Sequence, residues 1–286
     1  MQMAEIYIKP TSDMFFKYLF GRDETKDLLI SFINAVFEEK KLFKIQTVEI
    51  KNPFNIKKFI LEKESILDIK GEDEKKRKYD IEVQSTGNEY FKNRSLYYWS
   101  KLYSSQILEG DDYKVLQPAI CIDVLEFDLF DKLENYHNSF MIIEKDNREF
   151  ALTDHLIINF IELKKFNKKD IESKLDKWIY FFKHCGKEDF MEILIKDDVD
   201  IMKAKDEYNK FCQNEELKEA YESRMKWLSD YKTNISYAEE KGIIKGIEKG
   251  IDEEKRFISK QMKKDGMSIE TISKYTGLSI EEINKL

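Results

Sequence analysis

Apolar residues recur at helical spacing near the start of the chain and at alternating spacing in its middle. Phe15, Phe16, Leu19 and Phe20 follow Thr11 and Ser12, either of which can cap a helix that Gly21 ends. Leu28, Leu29, Phe32, Ile33, Val36 and Phe37 mark a second amphipathic helix. A strand is expected over Lys44 to Lys51, stopped by Pro53. Ile66 to Lys70 and Tyr79 to Gln84 alternate apolar with polar residues, and the polar run Gly71 to Lys76 between them predicts an antiparallel hairpin with a long loop. A third helix is expected over Tyr90 to Glu109, ended by Gly110. Pro118 to Phe127 is almost continuously apolar, which predicts a strand central in a sheet. The order so far is α-α-β-β-β-α-β. Phe140 to Ile143 and Glu149 to Leu152, around Asp146-Asn147, read as another hairpin, and Leu156 to Leu163 as a further strand. From Lys168 to about Lys232 the pattern is helical, with Trp178, Tyr180, Phe181 and Phe182 expected in the core. A boundary is expected near Asn234, followed by a four-residue Gly-Ile-Lys repeat from Lys241 to Ile251.

Composition narrows the function classes. A chain of 286 residues can bury a full core and carry an appendage. No run is apolar enough to span a bilayer, and Met1 to Pro10 lacks the apolar core of a signal peptide. Cys121, Cys185 and Cys212 are odd in number and widely spaced, which fits a reduced, cytoplasmic setting. His137, His155 and His184 have no partner at zinc spacing, so neither a structural zinc nor a Cys/His nucleophile pair is expected. The formal charge of −7 argues against a general nucleic-acid binder.

The hairpin holds the candidate chemistry. Alternation sends Leu67, Ile69, Ile81 and Val83 to one side, into a core. Asp68, Lys70, Asp80, Glu82 and Gln84 go to the other. Carboxylates converging from neighbouring strands suit a hard cation such as Mg²⁺; the plainer reading is that they solvate the outer face of a sheet. A rival acid–lysine reading uses Glu162-Leu163-Lys164, with Asp154 as the sole candidate partner acid. Asp13 and Lys17, four apart, form either a helix charge pair or a support beside the metal site. Lys75-Lys76-Arg77-Lys78 at the hairpin tip is the one dense basic run, and it reads equally as a phosphate contact or as a solvated turn.

Asp68 and Glu82-Val83-Gln84, on the second and third strands of that element order, resemble the PD-(D/E)XK nuclease superfamily. More narrowly, the chain resembles its family of transposases, also called recombination-promoting nucleases. Asp13 to Gly21 (Asp-Met-Phe-Phe-Lys-Tyr-Leu-Phe-Gly) is similar to the family's opening signature, and Arg94 to Tyr103 to its post-motif helix. The Gly-Ile-Lys repeat and Met267 to Ile272 are similar to its usual tail. The resemblance implies a restriction-endonuclease-like α/β core, a mixed sheet flanked by helices, over residues 1–165. A helical subdomain would follow over 166–233 and a helical tail over 234–286. It further implies that Asp68 and Glu82 bind Mg²⁺ or Mn²⁺ with the backbone carbonyl of Val83, and that the substrate is DNA. Gln84 stands where the superfamily has lysine, and it can hydrogen-bond but supplies no cation. Activity then leans on the metal or borrows a lysine, with Lys70 and Lys101 as candidates; Lys101 shares a helical face with Arg94, a further candidate for DNA contact.

Glycines at 242, 246 and 250 cost a helix about 1 kcal/mol each relative to alanine. Beside them Ile243, Ile247 and Ile251 make a ridge, which suggests a homodimer through the tail; the alternative is a flexible tether. Ser268 to Lys274 and Ser279 to Leu286 have a helix-turn-helix outline, but Glu281 and Glu282 on the second helix suit protein contact better than phosphate. The first hypothesis is therefore a metal-dependent DNA endonuclease serving DNA mobilisation, recombination or defence against foreign DNA. The second is an inactive nuclease fold that binds or regulates a partner through its tail. A DNA-binding regulator acting through the tail is disfavoured by the tail's charge.

Overall fold

The computed structural model describes residues 7–56, 68–187, 190 and 195–286. Six strands make one mixed sheet: β1 (Val48–Ile50), β2 (Ile69–Asp73), β3 (Lys78–Gln84), β4 (Ala119–Leu125), β5 (His137–Phe140) and β6 (Leu156–Glu162), in the order β1-β2-β3-β4-β6-β5. The β1-β2 and β2-β3 pairs are antiparallel, β3-β4 and β4-β6 are parallel, and β5 closes the far edge antiparallel to β6. β4 and β6 are buried at every position. That is the environment their mostly apolar runs demand, because a parallel central strand is covered on both faces.

Helices supply the cover. α1 (Asp13–Phe20) starts at Ser12, whose hydroxyl accepts from the Phe15 amide, and ends at Gly21. A β-carbon at Gly21 would sit 2.6 Å from the Lys17 carbonyl, so the close turn requires glycine. α2 (Lys26–Glu39) packs beside α1 and β1. α3 (Phe91–Ser104) is the crossover between parallel strands β3 and β4, and covers the opposite face of the sheet with Phe91 against Cys121, Leu125 and Phe160. α4 (Lys174–His184), opened by a capping box at Ser173, and α5 (Val199–Gln213), capped by Asp198, pack on α2. Trp178 and Phe182 of α4 meet Phe20 and Phe32 with ring centroids 5.3–6.2 Å apart. Each such fully buried side chain contributes about 1.5–3 kcal/mol.

α6 (Glu215–Lys264) is a single 50-residue helix, so the boundary expected at Asn234 falls inside a continuous element. The chain's internal contacts divide instead between Glu222 and Ser223. Within the second unit, Gly266 at φ +80° turns the chain into α7 (Ile269–Thr276). Gly277 at φ +73° then leads to α8 (Ile280–Asn284). Ile272, Leu278 and Ile283 are buried there against Met262, Ile269 and Leu286. The β-carbon positions of Gly242, Gly246 and Gly250 meet nothing within 4 Å.

Local expectations were met unevenly. Ile66 and Leu67 lie outside the described residues. The expected Gly71–Lys76 loop shrinks to a turn at Glu74-Lys75, because Gly71, Glu72 and Asp73 continue β2 and pair with β1. Asp73 makes this possible: it accepts from Arg77 Nε at 2.6 Å and from the Tyr79 hydroxyl at 2.7 Å, so its buried carboxylate is partnered within the hairpin. The strand expected over Lys44–Lys51 contracts to β1. The third helix stops at Ser104, five residues short of Glu109. The hairpin expected around Asp146-Asn147 is reduced to a bridge between Ile143 and Ala151, and the regular edge strand is β5 just before it.

Candidate active site

Backbone contacts fix the start of β2. The Lys17 ammonium of α1 donates to the Asp68 carbonyl, and Asn52 Nδ2 donates to the same oxygen at 3.0 Å. Asn52 Oδ1 in turn accepts from the Lys70 amide at 2.7 Å. The Asp68 carboxylate, nearly buried, is 3.2 Å from Lys70 Nζ.

The sheet register then lines up the acids. Ile69 opposes Ile81 and Lys70 opposes Asp80, so Asp68, one residue before β2, faces Glu82. On the other side of β3, Glu82 lies directly beside Asp123 of β4, and Asp80 beside Cys121. Asp68, Glu82 and Asp123 therefore form a row across three neighbouring strands about 4.8 Å apart, with Asp80 one step along. This is the face that α3 covers. Asp68, Asp80 and Asp123 are buried, which rules out the reading of the row as a solvated outer face.

Burial and mutual repulsion set the charges. Asp80 is pushed up to about 8, first by burial and then by the neighbouring Asp68 and Glu82 charges, with Lys70 offsetting part of it. Glu82 is raised by burial, against the pull of Arg94 and Gln84. Asp123 is raised well above the usual carboxylate range by burial and by Glu82. Lys70 loses some of its proton affinity to burial, but Asp68 and Asp80 outweigh this and raise it overall.

Glu82 is held from one side. Gln84 Nε2 at 3.4 Å and Arg94 at 3.2 Å both donate to Glu82 Oε2, and neither takes Oε1. Asp80 Oδ1, Asp123 Oδ2 and the Ser95 hydroxyl beside Asp123 are buried without a hydrogen-bond partner. Orphaned carboxylate oxygens at a crowded, repelling cluster are the donor set that a hard divalent cation satisfies. No three His, Cys, Asp or Glu side chains among the described residues are already gathered around one point. The acids form a row across the strands and not a closed cage, and Asp68 and Glu82 are the pair set opposite each other.

The other sequence candidates are placed as follows. Lys70 and Lys17 both reach Asp68, one at its side chain and one at its backbone. Asp13 accepts from the adjacent Met14 amide. Lys101 lies over the Tyr97 ring at 5.6 Å, two helical turns beyond Arg94. Val83 is buried within the β3-β4 ladder. Of the basic run, Lys76 and Lys78 pair with Glu72, and Arg77 is buried between Asp73 and the Phe43 ring. Lys75 is exposed at the turn. Glu162, the rival acid, accepts from the Leu129 and Phe130 amides and from Lys165, so it braces a loop; Asp154 is exposed.

Sequence reasoning gave no role to Asp123 or Ser95, and assigned Arg94 to DNA and not to Glu82. The available signal for Asp123 was a lone charge inside an apolar strand, a placement that costs free energy unless it has a use. No curated protein and no solved structure matches the chain. A family model, PD-(D/E)XK nuclease family transposase, matches residues 10–238, and the chain belongs to that family.

Proposed function

We propose that this member of a nuclease family is a metal-dependent endodeoxyribonuclease, in which Asp68 and Glu82, with the Val83 carbonyl, hold Mg²⁺ or Mn²⁺. The observation that carries the reading is the register that sets the buried Asp68 carboxylate opposite the half-buried Glu82 carboxylate, next to a third, buried acid. A divalent ion supplies a bound water of lowered pKa and polarises a phosphoryl oxygen. The chain's own groups do the rest. Lys17 and Asn52 fix the backbone at Asp68, while Gln84 and Arg94 fix the Glu82 carboxylate through one oxygen and do not engage the other. Lys70, the cation nearest the acids on the preceding strand, takes the electrostatic part that Gln84 cannot, offsetting charge that develops on the phosphate. Plasmid cleavage with and without Mg²⁺, with Asp68→Ala as control, tests this. Metal-dependent cleavage lost in the variant supports it, and equal cleavage by both proteins defeats it.

A second reading has one specific observation in its favour: the glutamine at position 84. A nuclease fold lacking that lysine can persist as a binding partner of active relatives. Calorimetric titration with Mg²⁺ separates the two, since the binding partner has no need to take up the ion. In the active reading, the exposed Ile243, Ile247 and Ile251 beside the open glycines join two copies, which suits paired cuts on opposite strands. DNA mobilisation, recombination and defence against foreign DNA are the roles such an enzyme fits.

A further inference from the structure

α3 departs from the chain around it. The protein carries 56 acidic residues, yet Phe-Lys-Asn-Arg-Ser-Leu-Tyr-Tyr-Trp-Ser-Lys-Leu-Tyr-Ser, residues 91–104, contains none. It contains three cations and four aromatic rings besides Phe91. Phe91, Ser95 and the inner rings face the sheet. Tyr90, Arg94, Tyr97 and Lys101 fall at i, i+4, i+7 and i+11, one stripe along the outside. Tyr90 is 65% exposed and Tyr97 55%.

The stripe begins at the carboxylates. Arg94 bonds Glu82 and lies 5.5 Å from the Tyr98 ring. Tyr98 stands close enough to act on the charge of Lys70 and meets Tyr97 edge to face at 5.6 Å. Lys101 extends over the outer ring of Tyr97 and has no ion pair among the described residues. The ring and its cation are thus presented outward from the site.

We propose that this stripe binds an unpaired DNA strand, with a base stacked on Tyr97 and the backbone phosphates met by Lys101 and Arg94, and that the substrate is single-stranded or locally melted DNA. The proposal rests on the nuclease reading for its choice of nucleic acid. Duplex binding draws chiefly on phosphate neutralisation, and this chain is poorly equipped for it. Its net charge is −7, and Lys76, Arg77 and Lys78 of the hairpin are spent on Glu72 and Asp73. Stacking on an exposed ring supplies affinity that needs no large positive field, and it requires bases that are not already paired.

The test is fluorescence anisotropy with the full chain in chelator, using a labelled thymidine oligonucleotide, its duplex with an adenine strand, and a uridine oligonucleotide. The expected result is tighter binding of the single DNA strand than of the duplex. Tyr97→Ala should weaken single-strand binding about 5- to 100-fold, while Tyr97→Phe, which keeps the ring, stays near wild type. Lys101→Ala should flatten the salt dependence by about 0.7 in slope. Tyr97 is exposed, so both variants should melt like wild type. Duplex bound as tightly as the single strand, Tyr97→Ala binding unchanged, or RNA preferred to DNA each overturns the proposal. Because cleavage is not read, the outcome is separable from the metal-site reading. Plasmid cleavage insensitive to Asp68→Ala would sink that reading and leave a Tyr97-dependent binding result standing.

Discussion

Gln84 and Arg94 donate to the same oxygen of Glu82, so the glutamine serves the carboxylate it sits beside as well as any substrate. Asp68→Ala or Glu82→Ala should abolish metal-dependent cleavage while circular dichroism and the melting profile stay native-like. Gln84→Lys should keep or raise cleavage, because the new ammonium can pair with Glu82 and adds the missing cation; loss of cleavage with the fold retained would assign Gln84 a purely geometric task. Asp80→Asn tests the crowding. Its folded-state pKa is raised from 3.8 to about 8, so ionised Asp80 opposes folding as pH rises through that window. In chelator at pH 7 the amide should raise Tm, an outcome opposite to that expected for most buried polar changes, and calorimetry at pH 4 should show the gain shrinking. Asp68, Glu82 and Lys70 were legible because alternation in two short strands assigns faces without any knowledge of the rest. Asp123 was not, since a single acid in a seven-residue apolar strand carries no periodic signal, and its neighbour Glu82 is 41 residues away.

The hairpin β2-β3 shows how an element can be polar and still internal. Arg77 and Asp73 form a pair 2.6 Å apart with both side chains almost wholly buried. Arg77→Ala leaves Asp73 without its cation and should cost about 3–5 kcal/mol in urea unfolding. Glu72 accepts from Lys76 and Lys78, whose pull outweighs the opposing effect of burial and holds its pKa down to about 2. A depressed carboxylate stabilises the fold above its ordinary pKa near 4.5 and loses that contribution as pH falls towards 2. Acid unfolding of Glu72→Gln should therefore be shallower over pH 4.5 to 2 than that of wild type. Sequence patterning placed the hairpin but read Glu72 and Asp73 as loop, because hydropathy registers charge and not its neutralisation by a partner four or six residues on. The helix starts at Ser12, Ser268 and Ser279 were read well, since these side chains act through bonds to residues three places away, whereas the cap at Ser173 was passed over inside a longer helical pattern.

At the scale of the whole chain, the element order of the first half was legible, and the strand order was not. Placing β6 between β4 and β5 depends on pairings such as Asp123 with Phe160, which no local pattern encodes. The long helix was also missed as one piece, because glycines at four-residue spacing suggest a break when judged by propensity alone. Their β-carbon positions are open and the adjacent isoleucines exposed, so an assembly role makes a definite prediction. Ile247→Glu with Ile251→Glu in the full chain should lower the mass seen by light scattering from dimer to monomer. Metal binding by the separate nuclease unit should be unchanged. Equal masses would leave the tail as a tether or a dock for another protein.

Lys17 and Asn52 grip position 68 through its carbonyl, and every amino acid offers the same carbonyl. The clamp is blind to the side chain, so loss of the aspartate should leave the strand in place and the molecule folded. Chemistry at this position can therefore change while architecture is preserved, and on the nuclease reading one substitution would separate a cleaving protein from a folded but silent one. Lys17→Met does the reverse, for it leaves every carboxylate intact while removing one of the two bonds that aim position 68.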